Sequence, residues 1–164
     1  MADEQSADPR PLDDLAGFRA ALIELLQGTR RELCIFSEQL ARALYHDSEV
    51  AETLSVFARS SALARVRVLV RDTTPIVGRF HRIQGLAQRL SSRITIRKVQ
   101  ATVDTPDWEF VVADGQQVLQ CEDREVWRGV YYTDNPVRAR SLLDQFEQDW
   151  PLAVTDPDLR RLSL

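Results

Sequence analysis

Three apolar runs frame this chain: Glu32-Leu33-Cys34-Ile35-Phe36, Val66-Arg67-Val68-Leu69-Val70 and Arg93-Ile94-Thr95-Ile96-Arg97-Lys98-Val99. Each follows a segment whose apolar residues recur at helical spacing. Leu15, Phe18, Leu22, Leu25 and Leu26 predict a helix that starts at Asp13-Asp14 and ends at Gly28. Val50, Leu54, Phe57 and Ala58 predict another, capped by Ser48. Ile76, Phe80, Ile83, Ala87 and Leu90 predict a third over 75–90, opened by Asp72-Thr73-Thr74-Pro75. Residues 38–45 read as a short helix or turn. A helix between successive strands forces parallel pairing, because the chain must return to the same end of the sheet through a right-handed crossover.

The pattern changes after a loop at 100–106. Strands are predicted at 108–113, 117–121 and 126–132. Asp114-Gly115 joins the first two as a hairpin, since both residue types tolerate positive φ. Asp134-Asn135-Pro136 opens a last helix with Val137, Leu142, Leu143, Phe146 and Trp150 on its apolar face, stopped by Pro151. The sum is an α/β architecture, a mixed β-sheet flanked by helices. One domain is expected over 13–153, with tails at 1–12 and 154–164.

Composition excludes several classes. A formal charge of −4 gives no global attraction to nucleic acid or anionic lipid. No apolar run approaches the ~20 residues needed to cross a bilayer, so the protein is expected not to be integral to a membrane. The polar start MADEQSADPRPLDD does not read as a signal peptide, so no leader and a cytoplasmic location are expected. Cys34 and Cys121 read as buried thiols in a reducing compartment. Two His and two Cys at unrelated spacings make no metal site, and no cofactor is expected.

The stretch Asp107-Trp108-Glu109-Phe110-Val111-Val112-Ala113-Asp114-Gly115 carries the main functional signal. With the strand Leu33–Phe36, the segment Val66–Val70 and the closing helix that ends Phe146…Trp150, it resembles one repeat of the phospholipase D-like superfamily. The resemblance covers roughly residues 13–152. It implies a phospholipase D-like single repeat, with a signature strand reading His, any residue, Lys, four residues, Asp. In that family the His is the nucleophile on phosphorus and the Lys neutralises phosphoryl oxygens. Here Asp107 stands at the His position and Glu109 at the Lys position; only Asp114 fits. Two carboxylates at that spot repel a phosphodiester. The chain is also similar to an uncharacterised bacterial family of degenerate members, some beside acetyltransferase domains. No catalytic residue is expected. Asp107 and Glu109 also read plainly as solvent-facing positions on an edge strand, and Asp114 as a turn residue.

Other candidates remain. Arg71, Thr73, Thr74, His81 and Arg82 lie near the carboxyl end of the second strand, where open α/β sheets bind ligands, and make a candidate ligand-binding set. Residues 65–98 hold nine basic residues against the single acidic Asp72, an alternative face for nucleic acid or phospholipid head groups. The leading expectation is a pseudoenzyme that binds or regulates. The resemblance implies a homodimer, and a protein partner is a further expectation, with Trp127, Tyr131 and Tyr132 as interface or core aromatics. The other alternative is an enzyme of different chemistry that reuses the cleft.

Overall fold

The computed structural model describes residues 9–100, 102 and 108–156. In chain order the elements are β1 (Arg10–Leu12), α1 (Leu15–Gly28), β2 (Glu32–Ser37), α2 (Arg42–Tyr45), α3 (Ser48–Arg59), β3 (Arg65–Val70), α4 (Thr74–Val77), α5 (Arg82–Arg89), β4 (Ile94–Lys98), β5 (Phe110–Ala113), β6 (Gln117–Asp123), β7 (Arg128–Tyr132) and α6 (Pro136–Asp149), followed by a 3-10 turn, Trp150–Leu152.

The seven strands form one sheet in the order β1-β7-β6-β5-β2-β3-β4. β2, β3 and β4 are parallel, as the helical crossovers require. β5 returns antiparallel against β2, pairing Leu33 with Ala113 and Phe36 with Phe110. The hairpin into β6 turns through Asp114 (φ 56) and Gly115 (φ 67), closed by the Gln116 amide donating to the Ala113 carbonyl at 3.0 Å. Two consecutive left-handed residues give the twist that antiparallel neighbours need.

Strand alternation sends side chains to two helical layers. Leu33, Ile35, Val66, Val68, Val111 and Ala113 pack under α1, α3 and α5, while Cys34, Phe36, Leu69, Phe110, Val112 and Val118 pack under α6. Phe146 is fully buried in the second layer. Cys34 is a buried free thiol; Cys121 is free and half-buried. Trp127 and Tyr131 belong to the core, Trp127 against Phe18 with ring centroids 5.2 Å apart, and Tyr132 is half-buried.

Several sequence expectations are corrected. The helix over 75–90 is two short helices, because His81 adopts an extended conformation and caps α5, its side chain accepting the Ile83 amide. Phe80, assigned to the apolar stripe, lies in the break and is 59% exposed. The cap of α3 is Asp47 and not Ser48: its carboxylate accepts the amides of Glu49 and Val50, both at 3.1 Å. Val137 sits in the first turn of α6 and faces solvent. Arg10–Leu12, expected within a tail, pair with β7. Arg10 holds that strand down by stacking over the Tyr131 ring at 4.7 Å and by an ion pair with Glu24 of α1. On the other side of the sheet, Val154 bridges Lys98. The remaining residues of the expected tails, 1–8 and 157–164, lie outside the described residues.

Candidate functional site

Glu109 directly precedes β5, a strand central to the sheet rather than at its edge. The solvent-facing expectation for this residue is therefore corrected: Glu109 is 3% exposed. Its parity with Val111 and Ala113 points it to the α1/α3 side, beneath the loop that follows β2. There one carboxylate oxygen accepts the Glu38 amide at 3.1 Å. The second oxygen, Oε2, is buried and has no hydrogen-bond partner among the described residues. Burial pushes the carboxyl up to about 7, against the Ser37 hydroxyl, the Glu38 amide and the charge of Arg124, which favour ionisation. Desolvation outweighs these three, so the group is close to half protonated at neutral pH.

The covering loop is held in a costly conformation. Leu40 is fully buried with φ 52, a left-handed geometry that costs a non-glycine residue about 1–2 kcal/mol. Both of its backbone groups are engaged. Its amide donates to the Ser37 hydroxyl at 2.9 Å, and its carbonyl accepts from His81 Nε2 at 2.8 Å. His81 Nδ1 accepts the Ile83 amide at 3.1 Å, so the proton resides on Nε2 and the ring is neutral. Burial pushes His81 down to about 4. His46 stands beside it, ring centroids 5.4 Å apart, and accepts the Arg82 amide.

Between this loop, Glu109 and the turn after β6 lies a cavity of about 200 Å³, lined by Glu38, Gln39, Ala41, Ala43, Arg124 and Trp127 together with Glu109. Glu38 is also ion-paired with Arg71 at 3.2 Å. No group of His, Cys, Asp or Glu among the described residues could hold a metal ion.

The signature-equivalent positions do not gather at one site. Asp107 lies outside the described residues. Asp114 is at the far end of β5, about 16 Å from Glu109 at ~3.3 Å per strand residue. Its two oxygens accept the amides of Arg30, Arg31 and Glu32 at 2.8, 2.8 and 2.9 Å.

The candidate ligand-binding set is likewise dispersed. Arg71 reaches Glu38. Thr73 is buried and donates to Asp156 at 2.8 Å, and it shares a cavity of about 340 Å³ with Thr74, Lys98 and Asp156. His81 is tied up in the core, and Arg82 lines a different cavity beside α3. The basic residues of 65–98 also spread over several surfaces. Arg67 pairs with Glu147 of α6, and Arg97 stacks at 4.2 Å on Trp150 in the 3-10 turn that follows it. Arg65 and Arg93 bond backbone carbonyls. Sequence reasoning missed Ser37, Glu38, Ala41 and Arg124, because nothing in the local pattern shows that the loop after β2 folds over the start of β5.

The sheet order, the two helical layers and the position of the β5 strand define a phospholipase D-like α/β fold. Nuc of Salmonella typhimurium, a phospholipase D family member, superposes with a TM-score of 0.63 at 11% identity, over 89% of this chain and 97% of Nuc. NucT of Helicobacter pylori does so with a TM-score of 0.59 at 10% identity, over 91% and 99%. TrmBL2, an archaeal chromatin protein whose structure shows a novel mode of DNA binding, gives a TM-score of 0.65 at 9% identity, over 92% of this chain. The chain spans about half the length of TrmBL2, 54%. No curated protein sequence matches. The chain belongs to the family described as a domain of unknown function, DUF7931, which matches residues 14–162.

Proposed function

We propose that this domain is a non-catalytic member of the phospholipase D-like fold that acts by binding, and that the cleft beneath the loop after β2 receives its ligand. One observation carries the reading: Glu109, at the position where the resemblance calls for Lys, is a buried carboxyl facing a cavity. A unit charge about 4 Å from a phosphoryl oxygen changes its energy by on the order of 4 kcal/mol at an effective dielectric of ~20. A lysine there attracts the substrate; an ionised glutamate repels it, and a protonated one supplies no cation. The described histidine closest to the covering loop, His81, has both ring nitrogens engaged and is no free nucleophile.

The alternative of an anion-binding face across 65–98 has less support, because Arg67, Arg71, Arg93 and Arg97 are engaged by other parts of the same chain. The test is a phosphodiesterase assay of the purified protein on bis(p-nitrophenyl) phosphate and on DNA, with Asp107→Ala and Glu109→Gln alongside. No turnover is expected. Turnover that either substitution abolishes would assign the cleft to catalysis and overturn the proposal.

A further inference from the structure

The Glu109 cavity has an unusual balance of groups. It has a carboxylate floor, with Glu109 Oε2 unpaired and Glu38 at the side. Its remaining wall is partly apolar, made by Ala41, Ala43 and Trp127. An unpaired buried polar atom costs about 1–3 kcal/mol, which a donor arriving from outside recovers. A volume near 200 Å³ corresponds to about six waters at ~30 Å³ each, enough for a short alkyl chain with a polar head. An indole beside a carboxylate suits a cation carried on methylenes, because the ring attracts the charge and covers the stem.

We infer that this cavity binds a primary alkylammonium group, its nitrogen donating to Glu109 and its methylenes lying along Ala41, Ala43 and Trp127. This rests on the proposed binding role of the same cleft. The group is either a free small amine or the tip of a lysine side chain; the chemistry is the same. Arg124 also lines the cavity, and its charge favours the ionised form of Glu109, the form that holds the ammonium. Since only the ionised carboxylate attracts the ammonium, affinity rises with pH through neutrality. The groups facing Glu109 that shape this dependence are Glu38, Arg124, Cys121 and Tyr45.

The test is titration of the purified chain, followed by calorimetry and ligand-observed NMR, with n-butylamine, N-acetyl-lysine methylamide and the neutral control n-butanol. Both amines are expected to bind and butanol not. Binding of butylamine alone assigns the site to free amines, and binding of the lysine derivative alone assigns it to a protein side chain. Glu109→Gln is expected to weaken binding at least tenfold. Ala43→Trp, at an exposed position of α2 that leaves Glu109 untouched, is expected to do the same by covering the cavity. Affinity is expected to fall severalfold from pH 8 to pH 6. Equal binding of butanol, indifference to Glu109→Gln, saturable Ca²⁺ binding in place of amines, or no amine binding overturns the inference. Failure here with a silent phosphodiesterase assay leaves the binding role standing. Hydrolysis that depends on Glu109 removes both.

Discussion

Asp114 accepts the backbone amide of Arg31 at 2.8 Å, across 83 positions of sequence. With the amides of Arg30 and Glu32 it ties the hairpin after β5 to the entrance of β2. The aspartate of the signature pattern is thus a fastener at the end of the sheet away from the cleft. Three amides on one carboxylate make Asp114→Ala a destabilising change of about 3 kcal/mol, since bonds to a charged acceptor are each worth ~1.5–3 kcal/mol and do not add fully. Asp114→Asn, which tolerates the same backbone and keeps one acceptor oxygen, is expected to cost less. Urea unfolding of the three proteins checks the order.

Glu109 makes stability fall with rising pH. Its carboxyl has an ordinary value of 4.5 and is pushed up to about 7 in the fold. Between these values the folded state holds a proton that the unfolded chain has released, so each step up in pH disfavours folding. The loss begins near pH 4.5, is complete above about 7, and amounts to about 3 kcal/mol. Glu109→Gln is expected to remove this slope and to be more stable than the parent at pH 8. Unfolding free energies measured from pH 5 to 8 decide it, and parallel curves for the two proteins would refute the linkage.

His81 works in the opposite sense. Its folded value is pushed down to about 4 from 6.5, so acid protonates the unfolded chain first. Stability is lost as pH falls from 6.5 towards 4, again by about 3 kcal/mol. His81→Asn keeps a capping side chain for α5 but cannot reach the Leu40 carbonyl as the imidazole does. It is expected to cost about 1–3 kcal/mol at pH 7 and to flatten the acid limb. Thermal melts across pH 4–7 report both effects.

Gly129 and Gly115 separate space from conformation. A Cβ at Gly129 would lie 2.2 Å from the Gln120 carbonyl oxygen, and neither backbone can yield inside the sheet. Gly129→Ala is expected to lose about 3 kcal/mol. Gly115 has open space around it but φ +67, so Gly115→Ala is expected to lose only about 1–2 kcal/mol. Equal melting temperatures for the two variants would contradict the distinction.

The scaffold was legible where periodicity was strong. Val66–Val70, the Asp114-Gly115 turn and the Asn135-Pro136 helix start all appear in the structure where their chemistry placed them. The misses have physical reasons. Arg10–Leu12 is too short to show a period and contains a proline, which reads as a tail. The break before α5 depends on a histidine acting as cap, a role usually filled by Ser, Thr, Asp or Asn. Glu109 looked wet because it alternates with Trp108 and Phe110. The unbroken apolar run Phe110-Val111-Val112-Ala113 was the better guide, since a strand covered on both faces shows no alternation. The cavity itself joins residues of three distant segments and left no local trace.

The outer strands also bear on how copies of this chain can meet. On one flank the last strand is three residues long and carries Pro11, which has no amide to offer. On the other, Val154 already exchanges hydrogen bonds with Lys98, its amide donating at 3.0 Å and its carbonyl accepting at 2.7 Å. Each feature removes a place where a further strand would bond: Pro11 withholds one amide on the first border, and Val154 occupies the end of the other at Lys98.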